Sequence, residues 1–176
     1  MTTINSSLEI SFLLSSNPFL GRLFSSLEQG RLYENVVLQE KARRIIPLDE
    51  LKSRTRRNYN FAIDDDDQND QFRDFLLLEL LNWFKNEFFT WLDKPECGRC
   101  GSKTAFHSNV EANVDEKLAL ANRIENYICE NERCSNFTRF PRFNDPGKLL
   151  ETKTGRCGEW ANCFTLCARS LGYEVR

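Results

Sequence analysis

The sequence predicts an α+β fold, rich in helix and interrupted by a small module organised around paired cysteines. Three observations predict it. Apolar residues recur at spacings of three and four over 70–92 and again over 157–171. Two close cysteine pairs, Cys97 with Cys100 and Cys129 with Cys134, stand between those stretches. Tyr173-Glu174-Val175-Arg176 then begins a strand-like alternation.

The bulk properties agree. A chain of 176 residues has the length of one domain, and such a domain buries about two-thirds of its unfolded surface. With 40% hydrophobic and 28% charged residues it lacks the composition of a disordered polypeptide. The net charge of −2, from 24 basic and 26 acidic residues, provides no global field for nucleic acid or an anionic membrane. Nucleic acid and membrane insertion are therefore not expected. The stretch 75–92 is broken by Glu79, Asn82, Lys85 and Glu87, whereas a bilayer span needs about 20 mostly apolar residues; it reads as a buried helix. No basic residue precedes the first apolar pieces, Ile10 to Leu14 and Phe19-Leu20, as an export signal requires. Seven cysteines, two pairs of them spaced as metal ligands, favour a reducing compartment, so a cytoplasmic location is expected. The glycosylation acceptor patterns at Asn5 and Asn136 then carry no meaning.

In chain order, residues 1–20 read as a loose tail containing Asn17-Pro18. Residues 23–46 read as broadly helical, and Pro47 ends or restarts that helix. Together 1–69 form a tail and helical arm. The basic Lys52, Arg54, Arg56 and Arg57 run into the acidic Asp64 to Asp67 and Asp70, a solvated boundary. Asn69 or Asp70 caps the next helix. Its apolar faces are Phe72, Leu76, Leu80 and Trp83, and Leu77, Leu81, Phe84, Phe88 and Trp91, and Pro95 stops it. The rest, 70–176, is one partial core holding a metal module at 95–140 and a helix at 157–171.

Cys97-x-x-Cys100 is a tight knuckle, and Cys129 and Cys134 have four residues between them. Two such pairs on loops supply four soft thiolates to one zinc ion, with Gly98 and Gly101 freeing the backbone to turn its amides toward the sulfurs. A closed four-thiolate shell leaves no place for water, so the expected zinc is structural. His107, between the pairs, reads as a loop residue.

Cys157 opens the last helix, between Gly155-Arg156 and Gly158, where unsatisfied amides and the positive helix end favour a thiolate. A nucleophile and a buried turn cysteine are both consistent with that position. Cys163 and Cys167 fall on the apolar stripe with Trp160, Phe164, Ala168 and Leu171 and read as core, with Gly172 as the stop.

Three runs carry a resemblance: Arg139-Phe140-Pro141-Arg142-Phe143-Asn144-Asp145-Pro146, Lys148-Leu149-Leu150-Glu151-Thr152, and Gly155-Arg156-Cys157-Gly158-Glu159-Trp160-Ala161-Asn162-Cys163-Phe164. With Leu81 to Phe89, Trp91 and the cysteine pairs, they resemble the cytoplasmic peptide:N-glycanases over roughly 70–176. The resemblance implies a transglutaminase-like core related to papain, in which a Cys-His-Asp triad cleaves the amide between an asparagine side chain and N-acetylglucosamine. It implies that Cys157 is the nucleophile, that the Trp91 indole joins the Cys157 amide in an oxyanion hole, and that Cys97, Cys100, Cys129 and Cys134 hold zinc. Implied partners are misfolded N-glycoproteins, proteasome-shuttle ubiquitin receptors and an AAA-type extraction ATPase. The family places its histidine and aspartate on strands after the nucleophile helix. Here no histidine follows His107, so the C-terminal strands are expected to be missing and the chain inactive by itself. Two other readings are a non-catalytic transglutaminase-like zinc scaffold, against which Cys157 argues, and a nucleic-acid-binding zinc ribbon, for which the basic cluster is too short.

Overall fold

A computed structural model describes residues 15–62 and 70–175. The first described helix lies where the sequence predicts a loose tail. Helix α1, Pro18–Tyr33, begins inside the expected loose tail because Asn17 is an N-cap: its side chain accepts from the amides of Phe19 and Leu20, and Pro18 takes the first turn, where an N–H is dispensable. The expected helical run 23–46 is two helices, because Asn35 caps a new one, α2, Val36–Ile45. Pro47 separates it from α3, Leu48–Tyr59, which ends on Asn60 in the left-handed conformation at φ 58°. Asn69 and the acidic run Asp64 to Asp67 lie outside the described residues.

Helix α4, Asp70–Trp83, does not run on to Leu92. It passes into a π-helical turn, Phe84–Phe88, closed by the Phe89 amide donating to the Phe84 carbonyl at 2.8 Å. The wider turn lets Phe84, Phe88 and Phe89 all become buried, and the chain leaves it extended as β1, Thr90–Trp91. Trp91 therefore belongs to a strand and not to the apolar face of a helix.

The module that follows is a three-stranded antiparallel sheet in the order β2–β3–β4: Thr104–Val110, Ala121–Cys129 and Phe137–Phe143. A short helix α5, Val114–Leu118, joins β2 to β3. Register places Thr104 opposite Cys129 and Glu125 opposite Phe140. Because strand side chains alternate, Glu125, Tyr127 and Cys129 share one face of β3, and all three are buried.

Helix α6, Pro146–Thr152, is capped by Asp145 and ends on Lys153 at φ 54°. Then β5, Thr154–Gly155, pairs in parallel with β1, and α7, Cys157–Ser170, closes the fold. The expected strand alternation after Gly172 is not realised in the described residues. Tyr173 instead donates its hydroxyl to the Arg73 carbonyl, tying the end of α7 back to α4.

One apolar cluster sits between these helices. Phe72, Leu76, Leu80 and Trp83 of α4 and Phe84, Phe88 and Phe89 of the π turn meet Leu149 and Leu150 of α6 and Cys163, Leu166, Cys167 and Ala168 of α7. Ala42, Ile46 and Leu51, from the region expected to be an arm, complete the same cluster. Phe84 is its aromatic centre, with Phe89, Trp160 and Phe164 ring centroids 5.0–5.3 Å away. Cys163 and Cys167 are core residues, each fully buried. No helix among the described residues is long and apolar enough to cross a membrane.

Candidate functional site

The site is assembled from a strand pairing, a turn, a cap and a chain of charges. The first is the parallel pairing of β1 with β5: the Leu92 amide donates to the Gly155 carbonyl at 2.9 Å, and Trp91 lies in register with Gly155. The second is the turn out of β5, where Arg156 is extended at φ −106° and ψ −160° and α7 starts at once with Cys157, whose side chain is exposed. The third is a cap on that turn. The Glu159 carboxylate reaches back to accept the Arg156 amide at 3.1 Å. Gly155 makes room for it: a Cβ there would stand 2.4 Å from the Glu159 Cβ and 2.8 Å from its Cγ. Gly155→Ala is accordingly expected to push the first turn of α7 outward and to destabilise the fold by about 1–3 kcal/mol, read by urea unfolding.

The fourth device is a chain of four alternating charges between the sheet and the turn that opens α7. Arg142 of β4 forks onto Glu159, Nε to Oε1 at 2.5 Å and Nη2 to Oε2 at 2.7 Å, and its Nη1 reaches Glu125 at 3.2 Å. Arg156 forks onto the other side of Glu125 at 3.2 and 2.8 Å. Glu125 and Glu159 are 4% and 5% exposed, so each buried carboxylate needs these partners. Burial works against the Glu125 carboxylate, yet the bonds from Arg156 and Tyr127 outweigh it and hold its pKa at about 2. An unfolded carboxylate titrates near ~4.3, so this group stabilises the fold at neutral pH by on the order of 3 kcal/mol. That stabilisation is present above about pH 4.3 and is lost as pH falls toward 2. Urea unfolding of the wild-type chain between pH 5 and pH 2.5 should show this loss, and Glu125→Gln should remove that part of the pH dependence.

Trp91 is 53% exposed, and its indole N–H donates to Asp93 Oδ1 at 2.8 Å. The β1–β5 pairing brings it to the strand that leads into Cys157, but its donor has a partner within its own chain. His107 lies on β2 with its ring against Phe137 and Nδ1 at 3.0 Å from the Ser108 hydroxyl. The paired cysteines meet as their spacing suggested. The ligand atoms of Cys97, Cys100, Cys129 and Cys134 all lie within 4.8 Å of one another, with Cys97–Cys134 and Cys100–Cys129 sulfurs 3.7 and 3.5 Å apart. All four are free thiols. Those separations are close to the ~3.8 Å edge of a tetrahedron of thiolates around zinc at ~2.3 Å, and far from a disulfide. The amides of Arg99 and Cys100 point at the Cys97 sulfur and lower its pKa to about 6, while burial pushes Cys129 up to about 12. Four thiolates therefore need a cation to coexist, and the donor set fits a metal ion.

The comparisons with known proteins decide the family. A model of the transglutaminase-like superfamily matches residues 104–176. A chicken protein named peptide-N(4)-(N-acetyl-beta-glucosaminyl)asparagine amidase is 49% identical over 146 residues, which is 82% of this chain and 22% of the relative. Proteins of the same name from mouse and rice are 46% identical over 166 residues and 43% over 163 residues, spanning 93% and 90% of this chain. The chain belongs to the peptide:N-glycanase family. It spans 22%, 25% and 35% of the lengths of these chicken, mouse and rice relatives.

The sequence singled out Cys157, Trp91 and the four clustered cysteines and missed the pairing of Glu125, Arg142, Arg156 and Glu159. Three of the four stand inside the runs that carry the resemblance to peptide:N-glycanases, but nothing local to them shows whom they pair with. Their partners lie 17 and 31 residues away along the chain. The one available signal was the interior of β3, where Glu125 interrupts the apolar residues Ile124 and Tyr127 and so must be paired if buried.

Proposed function

We propose that this chain carries the nucleophile half of an amidase that removes N-linked glycans from misfolded glycoproteins in the cytosol. The observation that supports it is the exposed Cys157 at the first position of α7, in a chain whose relatives are named for that amidase activity. A thiolate there attacks the side-chain amide carbon of the glycosylated asparagine. The C–S bond forms, the C–N bond breaks, the leaving nitrogen takes a proton, and a glycosylamine departs from a thioester. Water then cleaves the thioester, releasing the thiol and leaving aspartate. Amides of the first turn of α7 are suited to the developing oxyanion. Trp91 serves as a further donor by exchanging Asp93 for the substrate oxygen. The chain's single histidine is engaged with Ser108 and Phe137, so no base is assigned among these residues, and the chain alone is not expected to turn over.

The four cysteines would hold one zinc ion in a structural role, since a closed thiolate shell offers no open coordination position. A substrate of this kind reaches a cytosolic enzyme after extraction from a membrane compartment, which makes an AAA-type ATPase and ubiquitin-receptor shuttles the natural partners. No described surface selects one of them. The test is conversion of glycosylated asparagine to aspartate in a denatured glycoprotein by the complete gene product, read by peptide mass spectrometry. Absence of that conversion would remove the amidase reading in favour of a non-catalytic transglutaminase-like scaffold.

A further inference from the structure

We propose that Arg156 is a positioning residue through which occupancy of the four-cysteine metal centre sets the reactivity of the Cys157 thiol. The proposal rests on Cys157 being the nucleophile and on the cysteines binding metal.

Its basis is that the metal centre and the Arg156 side chain cross-link the same two segments. Arg156 donates to the Asp93 carbonyl from Nε at 3.1 Å and Nη2 at 2.6 Å, and to both Glu125 oxygens and the Tyr127 hydroxyl. Asp93 lies four residues before Cys97, and Glu125 lies four residues before Cys129. Cys97 and Cys129 belong to the one four-sulfur cluster. A metal ion thus holds together, at one level, the segments that Arg156 holds together at the next.

The consequence reaches the thiol because Arg156 is its covalent neighbour. If the metal leaves, nothing holds the four sulfurs in one cluster, and the knuckle at Cys97 separates from the end of β3. The spacing between Asp93 and Glu125 then widens, and one planar guanidinium cannot fork onto both. Arg156 must release one of them. Its backbone is also the cap of α7, bonded to Glu159, which Arg142 ties to the same Glu125. Release loosens the first turn and with it the free amides of the helix start, beside which Cys157 stands. Asp93 also accepts the Trp91 indole, so the same displacement disturbs the candidate oxyanion donor. Cys157 is exposed in the ordered state, so an increase in access is not what metal loss would change.

The experiment uses this chain, loaded with zinc and stripped by chelator. Iodoacetamide alkylation of Cys157 at pH 7 is followed by peptide-resolved mass spectrometry, so that the metal cysteines are counted separately. Stripping the wild-type chain should slow Cys157 alkylation by about two- to fivefold, the scale of a helix-end interaction. Arg156→Lys keeps the charge but loses the fork; it should retain its zinc, react at the slow rate, and gain no further slowing when stripped. Glu125→Gln should behave in the same way, whereas Arg139→Lys, which cuts a comparable ion pair to Glu116 elsewhere on the sheet, should keep full metal sensitivity. Equal rates in loaded and stripped wild type overturn the proposal, as does undiminished metal sensitivity in Arg156→Lys and Glu125→Gln. Loss of zinc from both variants also overturns it, since the clamp would then serve the metal and not the thiol. Failure of the amidase reading appears elsewhere, as activity retained without Cys157, and leaves these alkylation rates unaltered.

Discussion

Replacement of Cys157 by alanine in the complete gene product is expected to lower conversion of glycosylated asparagine to aspartate by about 10⁴-fold or more, the scale lost when the nucleophile of a concerted catalytic group is removed. The effect should be chemical and not structural. Cys157 is exposed at the first position of α7, and the apolar cluster beneath it is made by Cys163, Leu166 and Cys167, so deleting its sulfur opens no cavity. Thermal unfolding should move little, and glycopeptide binding should persist. Cys163→Ala supplies the contrast: that fully buried thiol belongs to the core, and its loss should reduce stability while a folded product keeps its chemistry. Amidase activity retained in Cys157→Ala would remove this residue from the mechanism. The thioester itself gives an independent reading, since hydroxylamine should trap an acyl group on the wild-type protein and none on the variant.

Cys129→Ser is expected to abolish metal binding, taking zinc from about one per chain to none by elemental analysis. It should also loosen the junction between the sheet and the start of α7. Cys129 ends β3 with its thiol buried, and without a cation burial pushes that thiol up to about 12. A serine in its place offers a hard, poorly acidic oxygen where the tetrahedron needs a soft thiolate. Without the metal the knuckle at Cys97 is no longer tied to the end of β3, while the apolar cluster of α4, α6 and α7 contains none of the four cysteines. Thermal unfolding should therefore move to lower temperature in the variant and in chelator-treated wild type, with the helical circular dichroism kept. Metal retained at full stoichiometry after Cys129→Ser, or no metal in the wild type, would defeat the assignment.

The candidate site was legible in unequal parts. The cysteine pairs were readable because each pair lies within a few residues, and a knuckle's geometry is local. The start of α7 and its apolar stripe were readable for the same reason. Helix boundaries were less so. Asn17-Pro18 reads as a loop signal, although the same two residues form a cap and first turn, and only the residues that follow decide which. The helix expected to reach Leu92 stops at Trp83 because burying Phe84, Phe88 and Phe89 together requires a wider turn, a demand made by Leu149, Trp160 and Phe164 from later in the chain.

By itself the sequence determined the family, the four-sulfur cluster, the helix that Cys157 opens and the absence of a charge field for nucleic acid. The family is carried by the likeness of a few runs to known sequences, and the rest by spacing over a few residues or by composition. Only the tertiary structure decided that Trp91 sits on a strand paired with Gly155, and that helices from the first sixty residues share the core. It also decided that Glu125, Arg142, Arg156 and Glu159 form one buried chain of charge. The physical reason is that a buried ion pair is specified by the register of a sheet and the docking of a helix upon it. Neither leaves a period in the residues that take part.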